Sequence, residues 1–267
     1  MPQADHAAVA ASVPAFVVGP GGRRIYVDPD DQRAQALIKA EGNFNPPTLA
    51  LWQSLIDERA WTHIVDVGAN YGEMLTGVTL PDATVIAIEP NPHLSRHLAR
   101  TLLESRLEVE VIAAALSDRV GSVALRIDRT WSGMSSEVAG QSQTDGHVIE
   151  TRTVAATTLD SLIRERARGT VRLLVKLDVE GHEVAVLRGL ENLLPDLDQF
   201  AVLIEILHLG DEDLDWILSR FSLALLDLRQ NSLASADVTT AQALHGLLAT
   251  GNFYRNDAVL RRMNAAP

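Results

Sequence analysis

The 267-residue sequence has no cysteine, which removes disulfides, thiolate catalysis and cysteine-ligated zinc from consideration. Lysine is nearly absent too: Lys39 and Lys176 stand alone, and arginine supplies the other basic residues. No apolar run approaches the roughly twenty residues that cross a bilayer. No Lys or Arg precedes Arg23, so the N-terminus lacks the charged start of a signal peptide. These absences predict a soluble cytoplasmic protein without a membrane partner. A formal charge of −12 argues against nucleic acid as a partner, because a phosphate backbone is held by clustered Lys and Arg.

What is present implies one large folding unit: 46% of residues are hydrophobic and 22% charged, enough for a full core. FVV and RRIYV around GPGG predict a hairpin. Helices are expected near 31–40 and 47–59, the second behind Asn45-Pro46-Pro47. From residue 63 the pattern alternates. HIVDV, TVIAIE and LEVEVIAAAL read as strands, with EMLTGVTL and PHLSRHLARTLLES as helices between them. GSVALRI and HVIETRTVAA read as strands around the polar stretch WSGMSSEVAGQSQTDG. LDSLIRERA, VRLLVKLDV, EVAVLRGLENLL, AVLIEIL, DLDWILSRF and SLALLDL continue the alternation, and NFYRNDAVLRR reads as a last strand. This order predicts an α/β fold with a mostly parallel sheet covered by helices on both faces. Residues 1–60 are expected to pack on it as an extension, and 61–267 to form the domain itself.

DVGANYGE follows the first strand of the alternating region. Gly68 and Gly72 permit a tight turn and close approach of backbone to a ligand, and Asp66 sits at the strand's carboxyl end, where open α/β sheets bind ligands. The spacing is G-x-x-x-G rather than the dinucleotide G-x-G-x-x-G, and an ordinary strand-to-helix turn would look the same. The second strand ends IAIEPNP, which puts Glu89 about twenty residues beyond Asp66, where an acid can accept both hydroxyls of a ribose. Alternatively, Asn91 caps a helix and Glu89 is solvated. Turn and acid together indicate an adenosine-containing cofactor. Asp66 before the loop and Glu73 after it would repel a pyrophosphate but suit ammonium and sulfonium charges, which favours S-adenosylmethionine over NAD.

In order and spacing, DVGANYG, IEPNP, ALSDRVGSVAL, TLDSLI and KLDVEGHEVAVLRGL resemble the FkbM family of S-adenosylmethionine-dependent methyltransferases, over about residues 62 to 207. The resemblance implies a class I methyltransferase (Rossmann-like) fold with a seven-stranded sheet whose last strand is antiparallel. It also implies O-methylation of a hydroxyl on a small molecule, such as a sugar or another specialised metabolite. Asp66, Gly68, Ala69, Asn70 and Gly72 would line the methionine end of the donor, Glu89 would hold its ribose, and Pro90 and Asn91 would lie beside the adenine. Ser117 and Asp118 would also reach adenine, unless ALSD is simply a turn into GSVALRI. Substrate selection would fall to the first sixty residues, those after about 210 and the 129–147 loop.

The stretch LLVKLDVEGHE crowds ionisable groups onto the end of a core strand, although burying a charge costs several kcal/mol unless it is paired. On an extended strand Lys176, Asp178 and Glu180 share one face and Leu177 and Val179 the other. Gly181 breaks the strand, and His182 and Glu183 begin a helix. The charges thus gather at the expected reaction crevice. Methyl transfer needs alignment of the nucleophile and a base for its proton. Asp178, Glu180, His182 and His208 are the candidates, and His208 is favoured because an imidazole titrates near neutrality. Asp178 could instead position the hydroxyl or the donor's ammonium. Lys176 is expected to neutralise Asp178 or Glu180, and Glu183 to complement a helix N-terminus. Asp178, Glu180 and Glu205 could also hold Mg²⁺. Trp131, Met134, Ser135 and Ser136 are read as a loop closing over substrate, or as a plain insertion, with Asn43, Phe44 and Asn45 at the same mouth. Two other functions compete: a binding protein that keeps the fold without the chemistry, and an NAD-linked oxidoreductase. The charged DVEGHE edge opposes the first, and the missing third glycine and acidic loop oppose the second.

Overall fold

The structure, a computed structural model, describes residues 15–134 and 148–263. The hairpin β1 (Phe16–Val18) and β2 (Arg24–Tyr26) leads to α1 (Gln32–Lys39) and α2 (Pro46–Glu58). Next come β3 (His63–Val67), α3 (Glu73–Thr76), β4 (Thr84–Ile88), α4 (Pro92–Glu104), β5 (Glu110–Ile112), β6 (Ala115–Leu116), β7 (Gly121–Asp128) and β8 (Ile149–Thr157). The second half contains α5 (Leu159–Arg166), β9 (Val171–Leu177), α6 (Glu183–Arg188), β10 (Leu197–Glu205), α7 (Asp211–Leu218), β11 (Phe221–Asp227), β12 (Ser232–Ala236), α8 (Ala241–Leu248) and β13 (Phe253–Arg262).

Eight strands form the main sheet in the order β12-β11-β13-β10-β9-β3-β4-β5. Neighbours from β10 to β5 are parallel, whereas β13 is antiparallel to both β10 and β11. The expected seven strands with a reversed last strand are therefore there, and β12, absent from the sequence reading, adds an eighth at the edge. A smaller sheet, β6-β8-β7, stands beside it. Helices cover both faces because the strands are apolar on both. Val65, Val67, Leu173, Val175 and Leu177 pack with Leu162, Leu187, Ile217 and Leu244 in one core cluster. Ile64, Ala87 and Leu174 pack with Trp52, Leu55 and Leu98 in the other. The strand period of two puts Asp66 and Lys176 on that second face, among buried side chains.

Several elements stop earlier than their apolar pattern. LEVEVIAAAL is broken: β5 ends at Ile112, and Ala115 and Leu116 leave the main sheet to pair with Ala156 and Thr157 of β8. EMLTGVTL makes one turn, α3, closed by the N–H of Gly77 on the Glu73 carbonyl at 3.0 Å. EVAVLRGLENLL ends as a helix at Arg188, since the Ser117 carbonyl crosses over Gly189, where a Cβ would lie 2.2 Å from that oxygen. β9 ends at Leu177, so Glu180 is not on the strand as the alternation implied. It takes a left-handed conformation with φ of 55°, Gly181 follows at 97°, and the Glu183 carboxylate accepts the N–H groups of Val179 and Gly181 at 2.9 Å each. DLDWILSRF is helical only to Leu218, and α8 has no counterpart in the sequence reading.

The N-terminal segment lies on the α4 side. Ile25, Val27 and Leu37 share a core cluster with Tyr71 and Leu94, and the Tyr26 N–H donates to Thr101 Oγ1 at 2.9 Å. Arg23 Nη1 donates to the Thr76 carbonyl, also at 2.9 Å. Among the described residues no helix is long and apolar enough to cross a membrane.

Candidate active site

The turn after β3 is set by backbone. Gly68 has φ of +81°, and a Cβ on it would lie 1.9 Å from the Asp178 carbonyl oxygen, so only glycine lets the ends of β3 and β9 approach this closely. The N–H groups of Gly68 and Ala69 both donate to the Ile88 carbonyl at 3.0 Å. Asn70 is left-handed, with φ of 48°, and its N–H donates to Glu89 Oε2 at 2.9 Å while the Asn91 N–H donates to Oε1 at 2.9 Å. Glu89 thereby ties the loops after β3 and β4 together, and each of its oxygens keeps a second lone pair. Burial raises its pKa to about 7 in spite of these two bonds.

A cleft opens along these loops. Gly68, Asn70, Glu89 and Pro90 line it together with the apolar Leu94, Leu116 and Leu125 of α4, β6 and β7, and it ends at Asp178, Glu180 and His182. An acid beside an apolar slot and an exposed glycine backbone is a donor set suited to a nucleoside: ribose hydroxyls on Glu89 and a flat base among the leucines. The residues fit S-adenosylmethionine on those grounds.

A second cavity, of about 660 Å³, lies beyond Asp178. Asn43, Phe44, Asn45, Thr48 and Trp131 line it together with Glu205, His208, Asn256 and Asp257. Arg33, Gly68, Gly133, Asp178 and Glu180 line both hollows and so mark their junction. Lys176 Nζ donates to Asp178 Oδ2 at 2.9 Å and lies 3.9 Å from Asp66 Oδ1. Burial opposes ionisation of Asp178, but Lys176, helped by Arg33 and Glu205, outweighs it and holds that carboxyl below the usual range. Its neighbours go the other way. Burial and then the Asp178 charge push Glu180 to about 8 and Glu205 to about 9, so both hold protons at neutral pH, and Glu205 hydrogen-bonds to Asp178. Asp257, opposite Glu205 on β13, is raised by burial to about 6 and accepts a hydrogen bond from Thr48 Oγ1. His208 Nε2 is 3.9 Å from Glu180 Oε2, and one donor atom each of Glu180, Glu205 and His208 lies within 4.8 Å of the others.

The structure brings Gly68, Asn70, Glu89, Pro90, Asp178, Glu180 and His182 to the cleft and Ala69 and His208 to the cavity. Asp66 departs from its expected place. It is wholly buried beneath the loop rather than in the wall, and neither of its oxygens has a hydrogen-bond partner among the described residues. Burial raises it to about 6, with Lys176 acting against the rise. Gly72, with φ of +88°, opens α3 against Leu98, and Asn91 caps α4 by accepting the His93 N–H at 3.0 Å; neither lines the cleft. Ser117 is buried behind His182, its Oγ 2.9 Å from Nε2, and Asp118 faces Arg119 at the surface. His182 thus borders the cleft but not the cavity, and burial lowers its pKa. Ser135 and Ser136 lie outside the described residues, as does the side chain of Met134.

Sequence reasoning missed Arg33, Thr48 and Asp257. Arg33 Nη1 donates to Asn70 Oδ1 at 3.0 Å, its Nη2 pairs with Glu73, and its guanidinium lies 5.5 Å from the centre of the Phe44 ring. Asp31 holds it there: one carboxylate caps α1 and accepts Tyr71 Oη at 2.6 Å, Ser132 N–H at 3.1 Å and Ser132 Oγ at 2.5 Å. Only Asp257 left a signal, an acid at the head of the apolar run 258–260 of the last strand.

Residues 66–230 match a family model described as the methyltransferase FkbM domain. No curated protein matches the sequence. Among solved structures, the chain is similar to an O-methyltransferase from Bacillus cereus in complex with SAH, at 11% identity and TM-score 0.40 over 89% of this chain and 93% of that one. It is similar to the plantazolicin methyltransferase BpumL in complex with SAH, at 11% identity and TM-score 0.42 over 88% and 91%. It is also similar to a precorrin-6y C5,15-methyltransferase from Geobacter metallireducens GS-15, at 9% identity and TM-score 0.41 over 80% and 88%.

Proposed function

Because the chain belongs to the FkbM methyltransferase family, with a class I methyltransferase fold, we propose that it methylates a hydroxyl of a small, polar acceptor, of which a sugar is the best-fitting kind. The observation that carries this reading is the shared border: Asp178 and Glu180 line both the nucleoside-shaped cleft and the larger cavity. When bound, S-adenosylmethionine supplies an electrophilic methyl carbon, to which the acceptor oxygen bonds as the carbon–sulfur bond breaks and its electron pair stays on sulfur.

The protein's part is alignment and proton removal. Asp178, kept ionised by Lys176, lies at the junction and accepts an O–H of the acceptor next to the one that reacts. Protonated Glu180 offers an O–H donor to a neighbouring acceptor oxygen, while Glu205 gives its own to Asp178. His208, beside Glu180 on the acceptor side, takes the proton released as the new bond forms. Of the five carboxyl groups in the cavity wall (Glu73, Asp178, Glu180, Glu205 and Asp257), Glu180 and Glu205 hold protons, which leaves three anions against the two cations Arg33 and Lys176. That balance disfavours a polyanionic acceptor, while the three asparagines and the flat faces of Phe44 and Trp131 suit a hydroxyl-rich ring. Glu180, Glu205 and His208 would also be the residues to hold Mg²⁺, whose contribution would be to fix the acceptor oxygen.

Calorimetry of the purified protein with S-adenosylhomocysteine is the first test, and absence of binding would sink the reading. Turnover is then followed on a panel of glycosides. His208→Ala should lower turnover about 10²- to 10⁴-fold and leave S-adenosylhomocysteine affinity unchanged, whereas unchanged turnover removes His208 as the base.

A further inference from the structure

A zwitterionic donor brings a carboxylate as well as an ammonium and a sulfonium, and the acidic surroundings that suit the last two repel the first. Around the cleft stand Glu89, Asp178 and Glu180, and Arg33 is the one Lys or Arg among the described residues that line it. Lys176, the other cation of the two hollows, is committed to Asp178 at 2.9 Å and Asp66 at 3.9 Å. Resting on the reading above, we propose that the guanidinium of Arg33 binds the amino-acid carboxylate of S-adenosylmethionine.

Three observations support this. Arg33 lines both hollows next to Gly68 and Asn70, on the side of the glycine turn where the methionine end would lie. Its side chain is only 14% exposed, and two contacts orient it, Asn70 Oδ1 and Glu73. These contacts use two of the five N–H donors of a guanidinium, which leaves three for a carboxylate. Its position is also built rather than incidental. Asp31, two residues earlier, is buried and bonded to Tyr71 of the turn and Ser132 of the segment after β7, so α1 cannot shift without both. A glycine turn inside the matched region would thus be completed by a residue from outside it, since the family model begins at residue 66.

The test compares two probes by calorimetry: S-adenosylhomocysteine, and 5′-methylthioadenosine, which keeps the nucleoside and thioether but has no amino-acid group. Arg33→Met should weaken the first by about 10- to 100-fold and the second by less than about twofold. Arg33→Lys, which keeps the charge but not the guanidinium, should show a smaller loss for the first probe only. Equal losses with both probes, or none with S-adenosylhomocysteine, would overturn the assignment. If Arg33→Met melts well below wild type, Arg33→Lys carries the same comparison with the same deciding outcome. Wild-type protein that binds neither probe counts against the methyltransferase reading instead.

Discussion

The cleft and the cavity meet at Asp178 and Glu180 but are specified in different ways. The cleft is made by backbone: a glycine turn, two N–H groups on the Ile88 carbonyl, and Glu89 clamped between consecutive loops. The cavity is made by side chains from far apart in the chain, such as Thr48 with Asp257 and Tyr254 with Asn45, each pair 209 positions apart. A backbone-built site tolerates almost no change at its glycines yet serves one cofactor for many acceptors. A wall assembled from long-range side chains can be rewritten residue by residue, so that acceptor choice varies without touching the donor site.

The sharpest break of this contrast is Gly68→Ala. The added Cβ meets the Asp178 carbonyl at 1.9 Å, and φ of +81° is strained for alanine. Relief requires the β3 and β9 ends to separate, at roughly 3 kcal/mol or more. S-adenosylhomocysteine affinity measured by calorimetry should fall about 100-fold, and retention of wild-type affinity would show that the turn is not backbone-limited. Thr48→Val probes the other side. Losing the hydrogen bond to buried Asp257 should cost about 1 kcal/mol of stability and raise the acceptor KM a few-fold, with donor affinity unchanged. A matching loss in both affinities would mean that the two hollows are not separable.

A pH effect sits at the junction. Burial, followed by Asp178 and Glu180, raises Glu205 to about 9 from an ordinary 4.5. The folded protein then holds a proton that the unfolded chain releases, so stability from this group is full below about 4.5 and is lost as pH rises through about 9. Wild-type Tm should therefore fall a few degrees more between pH 6 and 9 than that of Glu205→Gln, and parallel melting curves would refute the assigned protonation.

The difference in construction also decides what the sequence could tell. Gly68, Asn70 and Glu89 are legible because a strand end, a turn and a second strand end fix them within about twenty residues. Asp66 belongs to the same motif, yet it was misplaced, because the strand period that buries Ile64 also turns Asp66 under the sheet with Lys176. Glu180 was placed on a strand that had already ended, since alternation cannot show that Glu183 curls the chain back. Arg33 carried no local signal at all. Its role depends on α1 meeting Asn70 and Glu73, 37 and 40 positions away, and no periodicity encodes that meeting.

β13 is inserted between β10 and β11 rather than added at an edge. During synthesis, the ribosome must release residues 253–262 before β10 and β11 are joined in one sheet, and Asp257 reaches the acceptor wall on the same segment. The donor turn, β3, β4 and β9 could assemble earlier from nearer contacts. A nascent chain would then be competent for donor binding before it could choose an acceptor.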